Sequence, residues 1–482
     1  MRFCSLVLVA SLCAPFAIVP PVFALQRAGE LEIEAVEVTT REGPEITIEA
    51  EEGFLWVPED RDDPDGQLIR LHFYRYPATG PDPGPPIVYL AGGPGGSGTL
   101  SSLGDRFGLF QAMREVGDVI AFDQRGVYGS EPYLLCPEEW SYPLGRPTEH
   151  DLLIERASEW AAGCADHWEG EGVDLSAYHT LASVADLEDL REALGAERLV
   201  LWGISYGTHL GLAMIRNHPD RIERAILAGV EGPDHTVKLP GNWERAIAAL
   251  DSMVAADPDA RAAFGNFRAL IDAVVNRVDP PVTVGLGDGR SVKIGRGDVV
   301  AFLLGEMSER DDYAGIPAAL HGVLENGLQG AAARAAESRT GRRGLAMSIA
   351  VDCASGISES RWERIQREVE RSWLGEHALS FVPEICEAFP HTDLGPEFRA
   401  PVESDVPVLF ISGSIDARTP PSNAEEMLEG FPNGVHLVIE GAGHDDDLLL
   451  SSPEIEAAML GFLRGEAPPG RIVLPPLEFD TP

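Results

Sequence analysis

One stretch of this chain constrains its fold more than any other: residues 198–209, with the sequence Arg-Leu-Val-Leu-Trp-Gly-Ile-Ser-Tyr-Gly-Thr-His. The apolar run 199–202 predicts a buried parallel strand, and the pattern of 208–217 predicts a helix. Between them lies a Gly-x-Ser-x-Gly motif centred on Ser205. A strand, a glycine-flanked serine and a helix in this order are typical of a nucleophile elbow, which exposes the serine hydroxyl at the N-terminus of the helix. The stretch therefore predicts an α/β fold with a mostly parallel central sheet flanked by helices.

A glycine-rich segment, 92–98, directly follows the predicted strand 86–91. It lacks the Gly-Lys-Ser/Thr ending and the Gly-x-Gly-x-x-Gly spacing of phosphate-binding loops, and Pro94 removes one N–H donor. We therefore favour an oxyanion loop over a phosphate site or a simple flexible turn. The backbone N–H groups of Gly93 and Tyr206 are the predicted oxyanion donors.

Two further polar residues follow predicted strands near the end of the chain, Asp416 after one strand and His444 after the next. The order Ser205, Asp416, His444 is the order in which an elbow-based hydrolase carries its catalytic triad. The ends of parallel strands meet at one edge of a sheet, so we expect these three side chains to lie together. Asp405 precedes its strand and Asp445 is adjacent to the histidine, so both are poorly placed to orient the imidazole.

These three residues predict a serine hydrolase mechanism. His444 removes the proton from Ser205 and later returns it to the leaving group, and Asp416 fixes the tautomer of the imidazole. Ser205 attacks a carbonyl carbon and forms an acyl-enzyme. The sequence carries no Cys-x-x-C pair and no nucleotide motif, so we expect neither a metal nor a cofactor.

The strand pattern stops from residue 235 to residue 401, where alanine- and arginine-rich helical segments dominate. We predict a signal peptide over 1–24, a first core part over 25–234, a helical cap over 235–401 and a second core part over 402–482. The cap should lie over the carboxyl ends of the strands, where ligands bind in α/β sheets. Its predicted helices are 243–255, 261–278, 298–307, 316–338 and 358–373.

The formal net charge is −41, and Lys238 and Lys293 are the only lysines. So acidic a surface repels phosphate backbones and anionic lipid, which excludes nucleic acid as an expected partner. The simplest interpretation of the charge is solubility in a salty or alkaline medium. A more specific one is attraction of cationic substrates, such as peptides with a free amino terminus.

The first 24 residues have a short basic start, an apolar run and small or apolar residues before Ala24. This pattern predicts a signal peptide cut after Ala24 and therefore a secreted or periplasmic protein without stable membrane insertion after the cut. Four cysteines remain in the mature chain, which suggests two disulfides with three possible connectivities. We prefer nearest-neighbour pairing, since each pair lies in one local segment: Cys136 with Cys164 and Cys353 with Cys386.

The motifs resemble those of α/β-hydrolase serine aminopeptidases, the group of prolyl iminopeptidases and secreted tripeptidyl aminopeptidases. They occur in order from about residue 86 to residue 445: Ala-Gly-Gly-Pro-Gly-Gly-Ser-Gly from Ala91, Asp-Gln-Arg-Gly from Asp123, Gly-Ile-Ser-Tyr-Gly-Thr from Gly203, Asp416 with Thr419-Pro420, and Gly443-His444. The resemblance implies the α/β-hydrolase fold and the release of one or a few residues from free peptide N-termini. It also implies acidic residues that bind the substrate ammonium. Glu231, after the last strand before the cap, and Asp352, next to Cys353, are two candidates, and the alternative for both is an ordinary solvated carboxylate.

The chain departs from these relatives at two positions: Ala91 replaces a common histidine, and Tyr128 replaces a common glycine. Asp123 and Arg125 are expected to brace loops by hydrogen bonding. The triad does not choose between amides and esters, so an esterase or other small-acyl hydrolase is the alternative function. A non-catalytic binding protein is disfavoured because it would need neither the complete triad nor the glycine loop.

Overall fold

The computed structural model describes residues 26–341, 343–379 and 383–481. The predicted signal peptide, 1–24, lies outside this part of the chain. The strands are β1 Leu31–Thr39, β2 Thr47–Pro58, β3 Leu68–Tyr76, β4 Ile87–Leu90, β5 Val119–Phe122, β6 Leu199–Ile204, β7 Ile222–Ala228, β8 Val282–Gly285, β9 Ser291–Ile294, β10 Val408–Gly413, β11 Gly434–Glu440 and β12 Arg471–Val473.

Helices connect and cover these strands. In chain order they are α1 Gly98–Ser101, α2 Phe107–Met113, α3 His150–Gly170, α4 Thr180–Ala193, α5 Tyr206–Asn217, α6 Pro240–Ala256, α7 Pro258–Phe264, α8 Phe267–Val278, α9 Arg296–Glu306, α10 Arg310–Asn326, α11 Gln329–Ser338, α12 Ala346–Ser355, α13 Glu359–Val369, α14 Pro383–Glu387, α15 Gly395–Arg399, α16 Pro421–Leu428, α17 Asp447–Leu450 and α18 Pro453–Leu463.

All strands except β8 and β9 form a single sheet, in the order β1-β2-β3-β5-β4-β6-β7-β10-β11-β12. The first three strands are antiparallel, and from β5 to β12 every neighbouring pair is parallel. The fold is therefore an α/β-hydrolase fold with a mostly parallel central sheet, as the sequence predicts. The tail strand β12 pairs with β11 and forms the edge of the sheet.

The parallel strands β4, β5, β6 and β10 are short apolar runs because both of their faces are buried. On β4, Val88 and Leu90 join one hydrophobic core, whereas Ile87 and Tyr89 join the core on the opposite face of the sheet. Alternate side chains of one strand thus stabilise both layers of flanking helices. The carboxyl end of each such strand is fixed from two sides, so the loops that follow have rigid starting points.

The inserted segment, residues 235–401, forms a third core of its own around side chains such as Trp243, Phe267 and Leu320. Ile415 and Ala417, which flank Asp416, belong to this core. The loop after β10 is therefore anchored in the inserted segment as well as in the sheet. This contact joins the two parts of the fold at the candidate active site.

The inserted segment differs from the predicted run of helices in several places. Three of its helices, α12, α14 and α15, are not among the predicted ones. β8 and β9 pair as an antiparallel hairpin where we expected no strand. The predicted helix 261–278 is divided at Gly265 (φ 69°), and the predicted helix 316–338 is divided at Gly327 (φ 86°). At both sites glycine adopts a left-handed conformation that ends a helix at little steric cost.

Two disulfides lie outside the sheet. Cys136 is bonded to Cys164 of α3 with an S–S distance of 2.06 Å, and Cys353 of α12 is bonded to Cys386 of α14 at 2.11 Å. Both bonds connect cysteines that are neighbours along the mature chain, the pairing that the sequence analysis prefers. No helix in the described part of the chain is long and apolar enough to cross a membrane.

Candidate active site

The turn between β6 and α5 holds Ser205 in a strained backbone conformation, with φ 53° and ψ −123°. The turn requires glycine on both sides of the serine. A Cβ atom at Gly207 would lie 1.9 Å from the carbonyl oxygen of Leu90, and one at Gly203 would lie 2.6 Å from the carbonyl oxygen of Gly207. Strain of this kind persists only where the surrounding structure enforces it, and it is concentrated at functional sites.

Ser205, His444 and Asp416 form one hydrogen-bonded chain. The Nε2 atom of His444 lies 3.1 Å from Ser205 Oγ, and its Nδ1 atom lies 2.8 Å from Asp416 Oδ2. The structure thus brings together the three side chains that the sequence analysis singles out. The arrangement meets the geometric requirement for an activated serine nucleophile: a base within reach of the hydroxyl, and a carboxylate that orients the base.

The buried Asp416 carboxylate accepts hydrogen bonds at both of its oxygen atoms. The backbone N–H groups of Arg418 and Thr419 donate to its Oδ1 at 2.7 and 2.8 Å, and the Thr419 hydroxyl donates to Oδ2 at 2.7 Å. Burial by itself would raise the pKa of Asp416. The charge of the His444 imidazolium and the hydrogen bonds from His444 and Thr419 outweigh that effect and lower the pKa, so the carboxylate stays ionised.

The inserted segment supports the histidine loop directly. The backbone N–H of His444 donates to the carbonyl oxygen of Ser308 at 2.7 Å. The Asp447 carboxylate accepts hydrogen bonds from the backbone N–H groups of Gly443 and Arg310, each at 2.7 Å. Sequence reasoning missed these contacts because backbone groups and a single aspartate form no recognisable motif.

The same region of the inserted segment supports the acid loop. The hydroxyl of Tyr313, a buried residue of α10, donates to the carbonyl oxygen of Ile415 at 2.7 Å. Ile415 directly precedes Asp416, so α10 and the residues just before it hold both loops that carry triad members. The position of His444 relative to Asp416 therefore depends on the packing of the inserted segment.

The glycine loop passes close to the serine. A Cβ atom at Gly92 would lie 3.0 Å from the Cβ of Ser205, and Gly93 lines the same cleft as Ser205 and His444. Among the hydrogen bonds of the described residues, the backbone N–H groups of Gly93 and Tyr206 have no acceptor. Both N–H groups are therefore free to donate to a substrate oxygen.

Asp123 braces the end of the glycine loop. Its buried carboxylate accepts hydrogen bonds from the hydroxyls of Ser97 and Thr99, both at 2.6 Å, and contacts His72 Nδ1 at 3.2 Å. Arg125 forms a fully buried bidentate ion pair with Asp186, with both distances 2.8 Å. These contacts are the bracing roles that the sequence analysis expects for Asp123 and Arg125.

Tyr128, at the position where relatives often carry glycine, has a φ of 28° and a side chain that is 44% exposed. A glycine would adopt this backbone conformation with less strain. Tyr128 thus replaces the family's glycine at a position where the backbone conformation favours glycine.

Two acidic residues, Glu231 and Asp352, lie near the start of the elbow helix. Glu231 is buried and pairs with Lys238 at 2.5 Å, and its backbone N–H donates to the hydroxyl of Thr208 at 2.7 Å. Burial, reinforced by the charge of Glu231, raises the pKa of Asp352 to about 8. The same two carboxylates raise the pKa of the Tyr206 phenol, after burial as the main cause, so the three side chains form one acidic cluster beside the elbow.

Within residues 26–341, 343–379 and 383–481, no three His, Cys, Asp or Glu side chains are grouped so that they could hold a metal ion.

Family models match two segments of the chain. Residues 85–281, from β4 through the elbow to α8, match the model described as "alpha/beta hydrolase fold". Residues 374–471, which include Asp416 and His444, match the model described as "TAP-like protein". Together the two segments cover more than half of the chain. The chain is an α/β hydrolase.

Named relatives of this α/β hydrolase include peptidases. Serine protease Hip1 from Mycobacterium tuberculosis is 35% identical over 191 residues, which are 38% of this chain and 36% of that protein. The match thus spans about a third of Hip1. Tripeptidyl aminopeptidase from Streptomyces lividans is 27% identical over 429 residues, 80% of this chain and 76% of that protein. Among solved structures, proline iminopeptidase from Mycobacterium smegmatis is similar at 17% identity, with 86% of this chain and 98% of that chain covered and a TM-score of 0.41.

Proposed function

We propose that this α/β hydrolase is an exported serine peptidase that removes residues or short peptides from free peptide N-termini. The observation that carries the proposal is the hydrogen-bonded chain from Ser205 through His444 to Asp416, built on a strained elbow. The names of its relatives favour a peptide over a simple ester as substrate. The predicted signal peptide and the two disulfides favour an oxidising compartment outside the cytosol.

In the proposed mechanism, His444 Nε2 takes the proton of Ser205 as Oγ attacks the scissile carbonyl carbon. The negative charge that develops on the carbonyl oxygen is stabilised by the N–H groups of Gly93 and Tyr206, and each donor contributes about 3 kcal/mol to the transition state. The imidazolium then protonates the leaving amine, and an acyl-enzyme remains on Ser205. Water, activated by His444, hydrolyses that ester and regenerates the serine.

The preference for a free N-terminus is assigned to the acidic cluster beside the elbow. Glu231 is already neutralised by Lys238, which leaves Asp352 as the carboxyl group without a cationic partner among the described residues. Its pKa of about 8 means that it holds a proton at neutral pH until a cation arrives. A substrate ammonium would lower this pKa and form a buried ion pair, whereas a blocked, uncharged N-terminus would leave the carboxyl group protonated.

The test compares matched substrates on the purified protein. Ala-Ala-Phe and Pro anilides with free and with N-acylated amino termini are assayed beside short p-nitrophenyl esters, and Ser205→Ala serves as the control. We expect cleavage of the free anilides, at least ten-fold weaker cleavage of the blocked ones, and loss of both in Ser205→Ala. Equal cleavage of free and blocked peptides refutes the aminopeptidase proposal, and activity on esters alone supports the alternative esterase.

A second variant tests the ammonium site. Asp352→Asn keeps the shape of the side chain but removes the acceptor charge, so we expect KM for the free anilide to rise about ten-fold while the rate on p-nitrophenyl esters is unaffected. Glu429→Gln, an exposed carboxylate outside the cluster, is the matched control. If Asp352→Asn leaves the ratio of free to blocked cleavage unchanged, Asp352 does not bind the ammonium.

A further inference from the structure

The inserted segment encloses a cavity that the proposed mechanism does not use. Its volume is about 590 Å³, and it lies among α8, α9, α10 and α11. A volume of this size accommodates a large side chain or a small ligand. Apolar side chains form much of its wall, among them Val274, Val299, Phe302, Leu320 and Val323.

Arg418 lies between this cavity and the cleft that contains Ser205. It lines the cavity, and it also lines the cleft that contains Ser205 and His444. Its backbone N–H donates to Asp416, which fixes the start of its side chain two residues beyond the triad carboxylate. Arg418 therefore lies in the wall that the cleft and the cavity share.

The Arg418 guanidinium, although partly buried, has no hydrogen-bond or ion-pair partner among the described residues. Arg106 in the same cleft, by contrast, contacts both Asp445 and Asp446. The chain has 78 acidic and 37 basic residues, so an arginine beside a catalytic site without an acidic partner is notable. A guanidinium in such a position is a ready site for a carboxylate, which it binds in a planar, bidentate manner.

The proposed ammonium site and the cleft assign the two ends of a bound peptide to separate groups of residues. Glu231 and Asp352, which we assign to the substrate ammonium, are not among the residues that line the cleft of Ser205, His444 and Arg418. The amino-terminal part of the peptide would thus lie beside the acidic cluster. The leaving part would lie in the cleft, on the side of Arg418.

We propose that Arg418 binds the C-terminal carboxylate of a short peptide substrate and that the cavity of the inserted segment takes the apolar side chain of its last residue. This inference rests on the proposed aminopeptidase function and deepens it, because it makes the enzyme selective for short peptides with a large apolar C-terminal residue. Longer chains and C-terminal amides lack a carboxylate at the required distance.

The test compares peptide pairs that differ only at the C-terminus: Ala-Ala-Phe-Leu as acid and as amide, and Ala-Ala-Phe-Gly as acid. If the Pro anilide is the better anilide substrate, Pro-Leu and Pro-Gly replace them. Products are located by mass spectrometry. The wild-type protein should cleave the Leu acid with a kcat/KM about ten-fold above that of the amide, the usual effect of one charge-assisted hydrogen bond. It should also prefer the Leu acid to the Gly acid.

Variants assign this preference to the arginine. In Arg418→Gln the acid-to-amide ratio should fall to about one, and in Arg418→Lys part of the preference should remain. Arg371→Gln, which removes an exposed arginine that lines neither space, should keep the wild-type ratio. A wild-type ratio near one, or a ratio that survives in Arg418→Gln, overturns the inference.

The anilide assay separates this failure from that of the proposed function. Anilides carry no carboxylate, so their dependence on a free N-terminus tests the aminopeptidase alone. A clear preference for free over blocked anilides together with equal cleavage of peptide acids and amides would refute the role of Arg418 and leave the aminopeptidase standing. Equal cleavage of free and blocked anilides would refute the aminopeptidase itself.

Discussion

Replacing Thr419 by valine removes the one hydroxyl group that contacts both Asp416 and His444, and it changes little else. Thr419 is fully buried, and its hydroxyl donates to Asp416 Oδ2 at 2.7 Å while lying 3.0 Å from His444 Nδ1. Valine has nearly the same shape, so the surrounding residues need not repack. The change therefore isolates one hydrogen bond to a buried carboxylate.

The size of the effect follows from the partners of that carboxylate. Asp416 accepts four hydrogen bonds, from the backbone N–H groups of Arg418 and Thr419, from the Thr419 hydroxyl and from His444. A hydrogen bond to a charged group contributes about 1.5–3 kcal/mol. We expect Thr419→Val to lower the free energy of unfolding by about 2 kcal/mol. The less firmly oriented imidazole should lower kcat/KM by about ten- to one hundred-fold.

The lost bond should also change the pH dependence of stability. The Thr419 hydroxyl is one of the groups that lower the pKa of Asp416, so its removal raises that pKa. The stability that the ionised carboxylate contributes should then be lost at a higher pH as the pH falls. The measurements are denaturant titrations at several pH values and kcat/KM on the best anilide substrate. Thr419→Ser, which keeps the hydroxyl, is the matched control and should restore most of the activity. Wild-type kcat/KM and an unchanged pH dependence of stability in Thr419→Val would show that the hydroxyl does not position the pair.

Three further outcomes are expected. Asp352→Asn should raise the free energy of unfolding at pH 8 and above. Folding raises the pKa of Asp352 to about 8, so the wild-type protein becomes less stable as the pH rises from the unfolded-state pKa through 8, whereas the amide does not titrate. Equal stabilities of variant and wild type in denaturant at pH 9 would contradict this expectation. His179 caps α4 as a neutral imidazole, and burial lowers its pKa to about 4, so its contribution is complete above pH 6.5 and is lost as pH falls through 4. His179→Asn keeps a capping side chain that does not titrate. It should reduce the loss of stability between pH 6.5 and 4 by about 2 kcal/mol, a value that allows for the partial exposure of His179. An unchanged dependence of stability on pH would show that His179 is not the group responsible. Gly207→Ala should abolish stable folding or cost several kcal/mol, since its Cβ would overlap the carbonyl oxygen of Leu90, while the open, exposed Gly145→Ala should be close to neutral in the same thermal melt.

Local patterns in the sequence were sufficient where a residue's role depends on its immediate neighbours. The elbow is such a case, because glycine at 203 and 207 is required by contacts within the same strand, turn and helix and with the adjoining strand β4. β10, which precedes Asp416, is an apolar run buried on both faces, and β11, which precedes His444, buries Leu437 and Ile439 at alternate positions. The ends of both strands could therefore be placed at one edge of the sheet from the sequence. The α/β-hydrolase fold and the order of the triad residues follow from these patterns.

Features that depend on long-range contacts could not be predicted from local sequence patterns. The two glycines that divide helices, Gly265 and Gly327, lie in segments whose composition favours helix, and only their φ values reveal the breaks. The hairpin of β8 and β9 has strands of four residues, too short for a period of two to be recognised. Each of these features depends on tertiary packing that overrides a weak local preference.

By itself, therefore, the sequence determined the sheet, the elbow and the chemical identity of Ser205, His444 and Asp416, since strand burial and turn sterics are local properties. Only the tertiary structure decided how these groups are held. The carbonyl oxygen of Ser308 accepts a hydrogen bond from the backbone of His444, and the hydroxyl of Tyr313 donates one to the backbone of Ile415. Tyr313 and Ile415 are 102 residues apart along the chain, so no local pattern connects them. Only the structure places Arg418 between the cleft and the cavity of the inserted segment, because a cavity wall is formed by side chains that come from separate helices.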